Sequence, residues 1–470
     1  MSHSTSLLLR RWAVVILPGL ALYLAPLPGL DAGQRHLFAL FAATIIALVV
    51  RPVPMGVSLL VTMTLLSLTG TLPLTTVLSG FGNSTAWLVF CAFLFAHAVT
   101  ATGLGVRIAY FFINRFGHTS LTLGYSVAIS DLVLAPFVPS DTARGGGIIA
   151  PIIRGLAGAL GSEPGPTANR IGSYLTLVGY HCTYAASAMF LTGMAANPLI
   201  ANFARKLAGV DLTWGRWALA ASVPGLCTFA LIPWLLHQLH PPDLQDTEHA
   251  RAHAREKLQH MGPMSVPERK LVVIMLGVIA GWITSPWHGV QNTTVAFAGV
   301  CALLLANVVA WDELLSDTKA WDALIWFAPL LMMADQLSEQ GVIGIISGAM
   351  FQHLHGWPWA LALAVLAVSY LYAHYGFASM TAHVSALFPS FLGAALAAGV
   401  PPQLAVLPLA FFSNLNAGLT HYGTGSAPVF FGPGYVTQRT WWTLGLIVCT
   451  VNMAIWLGVG LVWWHLLGLW

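Results

Sequence analysis

Apolar runs recur from Trp12 to Leu466 with little polar interruption. A helix that crosses a membrane needs about 20 apolar residues. The pattern predicts such segments at 12–30, 36–50, 53–70, 86–113, 171–204, 214–238, 270–287, 292–311, 322–350, 402–431 and 441–466. Two further stretches, 119–160 and 357–399, are apolar at both ends and polar in the middle. Their arms are roughly 15–20 residues each, so each reads as a re-entrant hairpin rather than a full crossing. One long polar stretch, 239–270, divides the chain into halves of similar length. Its His249, His253 and His260 stand at helical spacing, but the charges around them read as a solvated amphipathic linker rather than a metal site.

Composition supports a polytopic α-helical membrane protein. Only 7% of the 470 residues are Asp, Glu, Lys or Arg, and 57% are hydrophobic. A soluble fold of this size could not cover its core with so few charges, and disordered chains are polar and poor in aromatics. The net charge of +3 is too small and too dispersed for nucleic-acid binding. The five cysteines sit singly in apolar stretches and read as packing residues. The stretch after Trp12 lacks a small-residue cleavage site and reads as a retained first span. Arg10, Arg11, Arg51, Arg115, Arg154, Arg170, Lys319, Arg439 and the basic residues of 239–270 fall on one side if the N-terminus is cytoplasmic. Arg35, Arg205, Lys206 and Arg216 oppose that orientation. The chain contains no HExxH and no phosphate-binding GxxxxGK[ST], so neither an enzyme nor an ATP-driven pump is expected.

The halves resemble each other at a nearly constant offset. AWLVF at 86–90 matches ALIWF at 323–327, and Gly103 matches Gly341. PSDTARGGGIIAP at 139–151 faces ASMTAHVSALFP at 378–389, which pairs Ser140, Thr142 and Arg144 with Ser379, Thr381 and His383. In the N-in orientation the two copies start from opposite membrane faces. Inverted repeats of this kind place a site near the midplane, lined by broken helices. The expected organisation is scaffold helices over 1–70, a first repeat over 71–238, a cytoplasmic linker over 239–270, a second repeat over 271–440 and a final helix over 441–470. The first repeat holds hairpin 119–160 and broken helix 171–204; the second holds hairpin 357–399 and broken helix 402–431.

Four clusters carry the candidate chemistry. Ser140, Asp141, Thr142 and Arg144 combine two hydroxyls, a carboxylate and a guanidinium beside flexible Gly145–Gly147. Free N–H groups at such a turn suit an anion, and the Arg144 fork suits a carboxylate. Ser379, Thr381 and His383 repeat the arrangement. An Asn-Pro step at Asn197 and Pro198 interrupts the apolar span 171–204. Asn414, Asn416, Thr420, His421, Gly423 and Thr424 make a polar run inside 402–431, where a packing helix would need far fewer such residues. Asp131, Asp335, His97 and His181 read either as members of a proton relay or as groups that hold two helices together by one hydrogen bond, and are left outside the site.

These clusters, in this order, resemble the divalent anion:sodium symporter family of dicarboxylate transporters. PSDTARGGGIIAPIIR (139–154), SAMFLTGMAANPLI (187–200), FASMTAHVSALFPSFL (377–392) and GLTHYGTGSAPVFFGPGYV (418–436) look like its bacterial citrate, tartrate and 2-oxoglutarate/malate antiporter branch. The resemblance implies an all-α inverted-repeat fold with about 11 spans and two hairpins, a homodimer, and elevator-type movement. It implies di- or tricarboxylate substrates exchanged across the cytoplasmic (inner) membrane, with no cofactor and no resident metal. Sodium-coupled members bind sodium at the hairpin tips and helix breaks. Exchanger members carry a fixed positive residue after each tip motif, matching Arg144 and His383. Such unpaired fixed charges would make the empty carrier costly to return, favouring obligatory exchange. The chain departs from the family pattern at Asp141, where Asn is usual, and at Met380, which offers no hard oxygen to a cation. Asp141 either neutralises Arg144 in the empty state or titrates and couples transport to protons. Sodium- or proton-coupled symport of the same anions is the alternative mode.

Overall fold

The computed structural model describes the chain from His3 to Trp470, and its side chains from Leu8. All regular structure among the described residues is helical, which makes the protein an all-α polytopic membrane fold. Six helices are long and apolar enough to cross a bilayer: Ala32–Val50, Ser84–Thr102, Trp214–Leu239, Trp359–Gly376, Met380–Ala397 and Gln438–Leu466. Met55–Leu68, Ser120–Leu134, Asn292–Leu305 and Val342–Gln352 are apolar but shorter.

Burial separates the elements. Every residue of the Gly172–Met189 helix is buried, so this helix forms the axis of the molecule. A helix apolar on all sides belongs in such a position. Trp217, Trp441, Trp456 and Trp464 are fully buried around it. Their indole N–H groups do not all find partners, but Trp217, Trp456 and Trp464 donate to Ala188 O, Thr228 Oγ1 and Ala220 O. Leu17, Leu68, Val273, Leu305 and Leu466 point outward from the peripheral helices. On a chain this poor in charge, such outward apolar side chains face hydrocarbon.

Two of the segments predicted as continuous are divided. The 86–113 stretch ends one helix at Thr102 and starts another at Leu104, and the 322–350 stretch divides between Glu339 and Val342. Gly103 and Gly341 sit at φ +77° and +78°, left-handed values that end a helix and that only glycine adopts at little cost. Few polar residues mark the break at Gly103, whereas Asp335, Gln336, Ser338, Glu339 and Gln340 precede the one at Gly341.

Both halves then run through the same order of elements. A first arm, Ser120–Leu134, reaches a turn and returns as a π-helix over Thr142–Ile149 continued by Ala150–Ala159. Its counterpart runs through Trp359–Tyr372, the turn at Ala373–Gly376, and Met380–Ala397. The axial helix stops at Met189 and resumes at Asn197–Ala208; the second stops after Leu415 and a short turn to Leu419, resuming at Ala427–Phe431. The helices that follow, Trp214–Leu239 and Gln438–Leu466, pack against each other. In the polar stretch between the halves, Glu248–Met261 is a helix that turns only Ala250 and Ala254 fully inward. It is pinned by Arg107, which pairs with Glu268 at 2.6 Å and caps Gly262 O at 2.8 Å.

Candidate functional site

The two hairpin tips and the two helix breaks meet around a cavity of about 460 Å³. Ser140, Asp141 and Thr142 line it from the first tip, and Ser379, Met380 and Thr381 from the second. Met194 and Ala195 come from the first break, Thr424 and Gly425 from the second. The facing wall is built from other helices and supplies Arg51, Phe93, Thr100, Lys319, Asp322 and Trp326.

Both tips are built alike. Ser140 Oγ accepts from Ala143 N at 3.2 Å, and Ser379 Oγ accepts from Ala382 N at 3.3 Å. A serine at the start of a helix uses its oxygen to satisfy an otherwise orphaned amide. Its own proton stays free to donate, so each tip presents an O–H donor to the cavity. Thr142 and Thr381 add a second hydroxyl at each tip.

Asp141 joins the halves. Its Oδ2 accepts from Ser426 Oγ at 2.8 Å and from Thr424 Oγ1, both on the second broken helix. Oδ1 has only a 3.5 Å contact from Thr142 Oγ1. Neither oxygen meets Arg144, so Asp141 does not neutralise the guanidinium.

Arg144, expected to face the substrate, lies behind the cavity instead. Its side chain is fully buried and does not line the cavity. Nε pairs with Asp131 Oδ1 at 2.8 Å, NH1 donates to Val138 O and Gly193 O, and NH2 donates to Thr183 O and Ser187 Oγ. That accounts for all five guanidinium donors. None is left for a substrate carboxylate, and the charge is matched by Asp131. Asp131 does bond across the hairpin arms, but its pairing with Arg144 was not anticipated. The signal for it was chemical: a buried Arg needs a carboxylate, and 119–160 contains only Asp131 besides Asp141.

His383 is fully buried in an aromatic cage of Tyr370, His374 and Phe377, with ring centroids 4.4, 5.0 and 5.1 Å away. Neither ring nitrogen has a protein partner, and no carboxylate pairs with it. It does not line the cavity. The surroundings therefore make no provision for the fixed positive charge expected there.

The breaks are held to each other. Asn197 Nδ2 donates to Ser187 O and Phe190 O, the carbonyls freed where the axial helix stops, and Asn414 Nδ2 donates to Asn197 Oδ1 at 2.9 Å. Asn416 and Thr420 are buried behind the cavity with side-chain polar atoms that have no protein partner. Gly423 O accepts from His374 Nε2, and a Cβ at Gly423 would stand 2.7 Å from Ala417 O, which requires glycine there. His421 accepts the indole proton of Trp442 and lies off the cavity. Pro198 lines a different recess of about 550 Å³, with Arg205 and Arg216, at the Ser84 end of the helix whose Thr100 end borders the first cavity. Of the candidates, the cavity thus brings together Ser140, Asp141, Thr142, Ser379, Thr381 and Thr424, and leaves Arg144, Asn197, Pro198, His383, Asn414, Asn416, Thr420, His421 and Gly423 behind or beside it. Its cations are Arg51 and Lys319, which sequence patterning marked only as indicators of orientation.

Residues 5–470 match the family described as the sodium:sulfate symporter transmembrane region. The chain belongs to that family, the divalent anion:sodium symporters. The symporter-family relatives include the putative malate transporter YflS of Bacillus subtilis, 46% identical over 97% of this chain and 96% of its own length. They also include chloroplastic dicarboxylate transporter 1 of Arabidopsis thaliana, 42% identical over 97% of this chain and 82% of its own length. The inner membrane protein YbhI of Escherichia coli is 34% identical over 97% of this chain and 98% of its own. Among solved structures, the YdaH transporter of Alcanivorax borkumensis shares the fold, with a TM-score of 0.56 over 100% of this chain and 99% of that one at 14% identity. The protein is therefore a multi-pass transporter of the cytoplasmic membrane and not an enzyme.

Proposed function

We propose that the protein exchanges dicarboxylates across the membrane, carrying each in the cavity between the two hairpin tips as part of an elevator-type movement. The observation that carries this reading is the paired tip geometry: two serines, each with its oxygen bound by a backbone amide and its proton free, facing one cavity opposite Arg51 and Lys319. Two hydroxyl donors and two cations suit a short anion with a carboxylate at each end. The names of two relatives, a putative malate transporter and a dicarboxylate transporter, agree with this substrate class. By the same resemblance we assign the working unit as a homodimer in the lipid bilayer, and extend the substrate class to tricarboxylates such as citrate.

Exchange rather than sodium symport rests on what fills the breaks. Arg144 donates to the break carbonyl Gly193 O, and His374 contacts the matching Gly423 O at 2.8 Å. Side chains of the chain itself hold positions that a mobile cation would otherwise occupy. Met380 adds no oxygen at the second tip. The argument from an unpaired Arg144 charge no longer applies, since Asp131 neutralises it. Membrane potential replaces it: each charge moved costs about 2.3 kcal/mol per 100 mV. Uncompensated entry of a dianion into a negative interior opposes that field twice, whereas swapping one dianion for another moves no net charge.

Uptake of labelled malate into proteoliposomes in sodium-free buffer tests the mode. Uptake confined to vesicles preloaded with dicarboxylate is expected. Uptake into empty vesicles, driven by added sodium or by a pH gradient, would replace exchange with symport.

A further inference from the structure

Asp141 is an unusual lining for an anion cavity. It is 6% exposed, and it stands at the first tip between Ser140 and Thr142. Its place also bears on two donors. Thr424 and Ser426 give their hydroxyl protons to Asp141 Oδ2, so neither is available to a substrate carboxylate. Oδ1 keeps lone pairs in reach of the cavity, satisfied only by the long Thr142 contact of 3.5 Å.

Donor and acceptor chemistry then sorts possible ligands. The four tip hydroxyls, Ser140, Thr142, Ser379 and Thr381, donate or accept as required. The guanidinium of Arg51 and the ammonium of Lys319 only donate. Asp322 lies on the facing wall, one helical turn from Lys319 in the Thr318–Glu339 helix. At the tips, Asp141 is the one group that only accepts while ionised. A ligand carboxylate or keto oxygen placed against Oδ1 would bring two acceptors together with no proton between them. A methylene would leave Oδ1 without a partner. A hydroxyl on the ligand supplies the missing donor, and its charge-assisted bond to a carboxylate is among the stronger kinds.

We infer that Asp141 makes the site selective for 2-hydroxy dicarboxylates over their 2-oxo and unsubstituted counterparts. The ligand lies with its carboxylates toward Arg51, Lys319 and the serine protons, and with its hydroxyl donating to Asp141 Oδ1. The groups that set the local charge are Arg51, Lys319 and Asp322 across the cavity and the mutually neutralised Arg144–Asp131 pair behind it. The inference rests on the carboxylate-exchange reading and assigns the substrate within it.

Sites built to bond a ligand hydroxyl reject analogues that lack it far better than apolar pockets reject size differences. The experiment is counter-exchange in preloaded proteoliposomes, with malate, succinate and 2-oxoglutarate competing for uptake of labelled malate. In the wild type, succinate and 2-oxoglutarate are expected to need roughly 10-fold or higher concentrations than malate to compete, the effect of about one charge-assisted hydrogen bond. In Asp141→Asn the amide both donates and accepts, so the preference for malate over 2-oxoglutarate should fall to about 2-fold or less, mainly through better competition by 2-oxoglutarate. Equal competition by all three anions in the wild type overturns the inference without any variant, and so does an Asn variant that keeps the wild-type order. Failure of the exchange reading looks different: malate uptake would then be absent, or independent of preloading, whatever the order of competitors.

Discussion

Arg144 and His383 occupy matching positions, 239 residues apart, and meet opposite surroundings. Around Arg144 stand Asp131 and Val138; around His383, at the same offset, stand Tyr370 and Phe377. The first half closes its hairpin with an ion pair and four further hydrogen bonds from one guanidinium. The second closes it with ring packing, and Tyr370 turns its hydroxyl away to Ser413 at 2.7 Å. The breaks follow suit. Gly193 O is bound by Arg144, while Gly423 O, 230 residues later, is bound by His374. The backbone design is shared, but the first half is fixed by directional bonds and the second by shape. Buried polar atoms without protein partners occur on both sides, at Asp131, His181 and Thr183 in the first half and at His374, His383, Asn414, Asn416 and Thr420 in the second, but only at His383 do they include every polar side-chain atom of the residue that matches Arg144.

The largest effect expected from this difference is at Asp131. Asp131→Asn strands the Arg144 charge in a fully buried setting, which costs about 3–5 kcal/mol when one partner of such a pair is removed. The purified variant should melt far below the wild type in detergent. Asp131→Leu combined with Arg144→Met should be milder than Asp131→Asn alone, because no charge is left behind. Single variants as stable as the wild type would show that the first half does not depend on the pair.

His383→Phe probes the other side of the comparison. Its cage is aromatic on three sides, and a ring of similar volume fits with a change of under about 1.5 kcal/mol. The variant should stay folded and keep malate exchange within about 10-fold of the wild type, a few tenths of the Asp131 effect in stability terms. Complete loss of exchange in a well-folded His383→Phe protein would restore His383 as an essential cation and make the two halves functionally alike.

A smaller effect is expected where the halves touch. Asn414 reaches Asn197 across the breaks, and Asn197 in turn holds Ser187 O and Phe190 O. Asn197→Ala should cost about 1–3 kcal/mol by leaving buried carbonyls unpaired. Asn414→Ala should cost less, since its Oδ1 has no protein partner to lose. A double-mutant cycle on thermal stability should give a coupling near 1 kcal/mol. Additive losses would mean that the breaks are independent.

The sequence shows why some of this was legible and some not. The tips and breaks were readable because Ser, Thr, Asn, Gly and Pro are conspicuous in apolar spans, and residues 139–144, 197–198, 379–383 and 414–424 all lie at those places. Their type reveals an irregular backbone but not the direction of each side chain. Arg144 illustrates the limit: a guanidinium near a tip can point into the cavity or behind it, and the choice depends on Asp131, 13 residues earlier on the other hairpin arm. The glycine stop at Gly103 is hidden for a different reason, since mostly apolar residues continue on both sides; at Gly341 the polar run 335–340 was a signal that the apolar segment 322–350 passed over. Arg51 and Lys319 were legible as charges at the ends of apolar runs, yet their meeting across one cavity is a tertiary fact no local pattern carries.

Those two cations give the smallest effect and the closest test of where charge acts. Both are exposed, and neither pairs with a carboxylate among the described residues, so they face water as well as the cavity. Arg51→Gln and Lys319→Gln should leave stability within about 0.5 kcal/mol, as surface changes do. Each should raise KM for malate a few-fold at low ionic strength, with the difference shrinking toward 0.5 M salt as the ions screen the field. The buried Arg144–Asp131 pair acts at short range and is screened little by salt. If the KM changes in Arg51→Gln and Lys319→Gln were independent of ionic strength, these residues would touch the bound carboxylates directly rather than orient them through the field across the cavity. If they were absent altogether, the charge that binds the dianion would have to come from the tips, and the hydroxyls of Ser140 and Ser379 would have to hold both carboxylates without a cation.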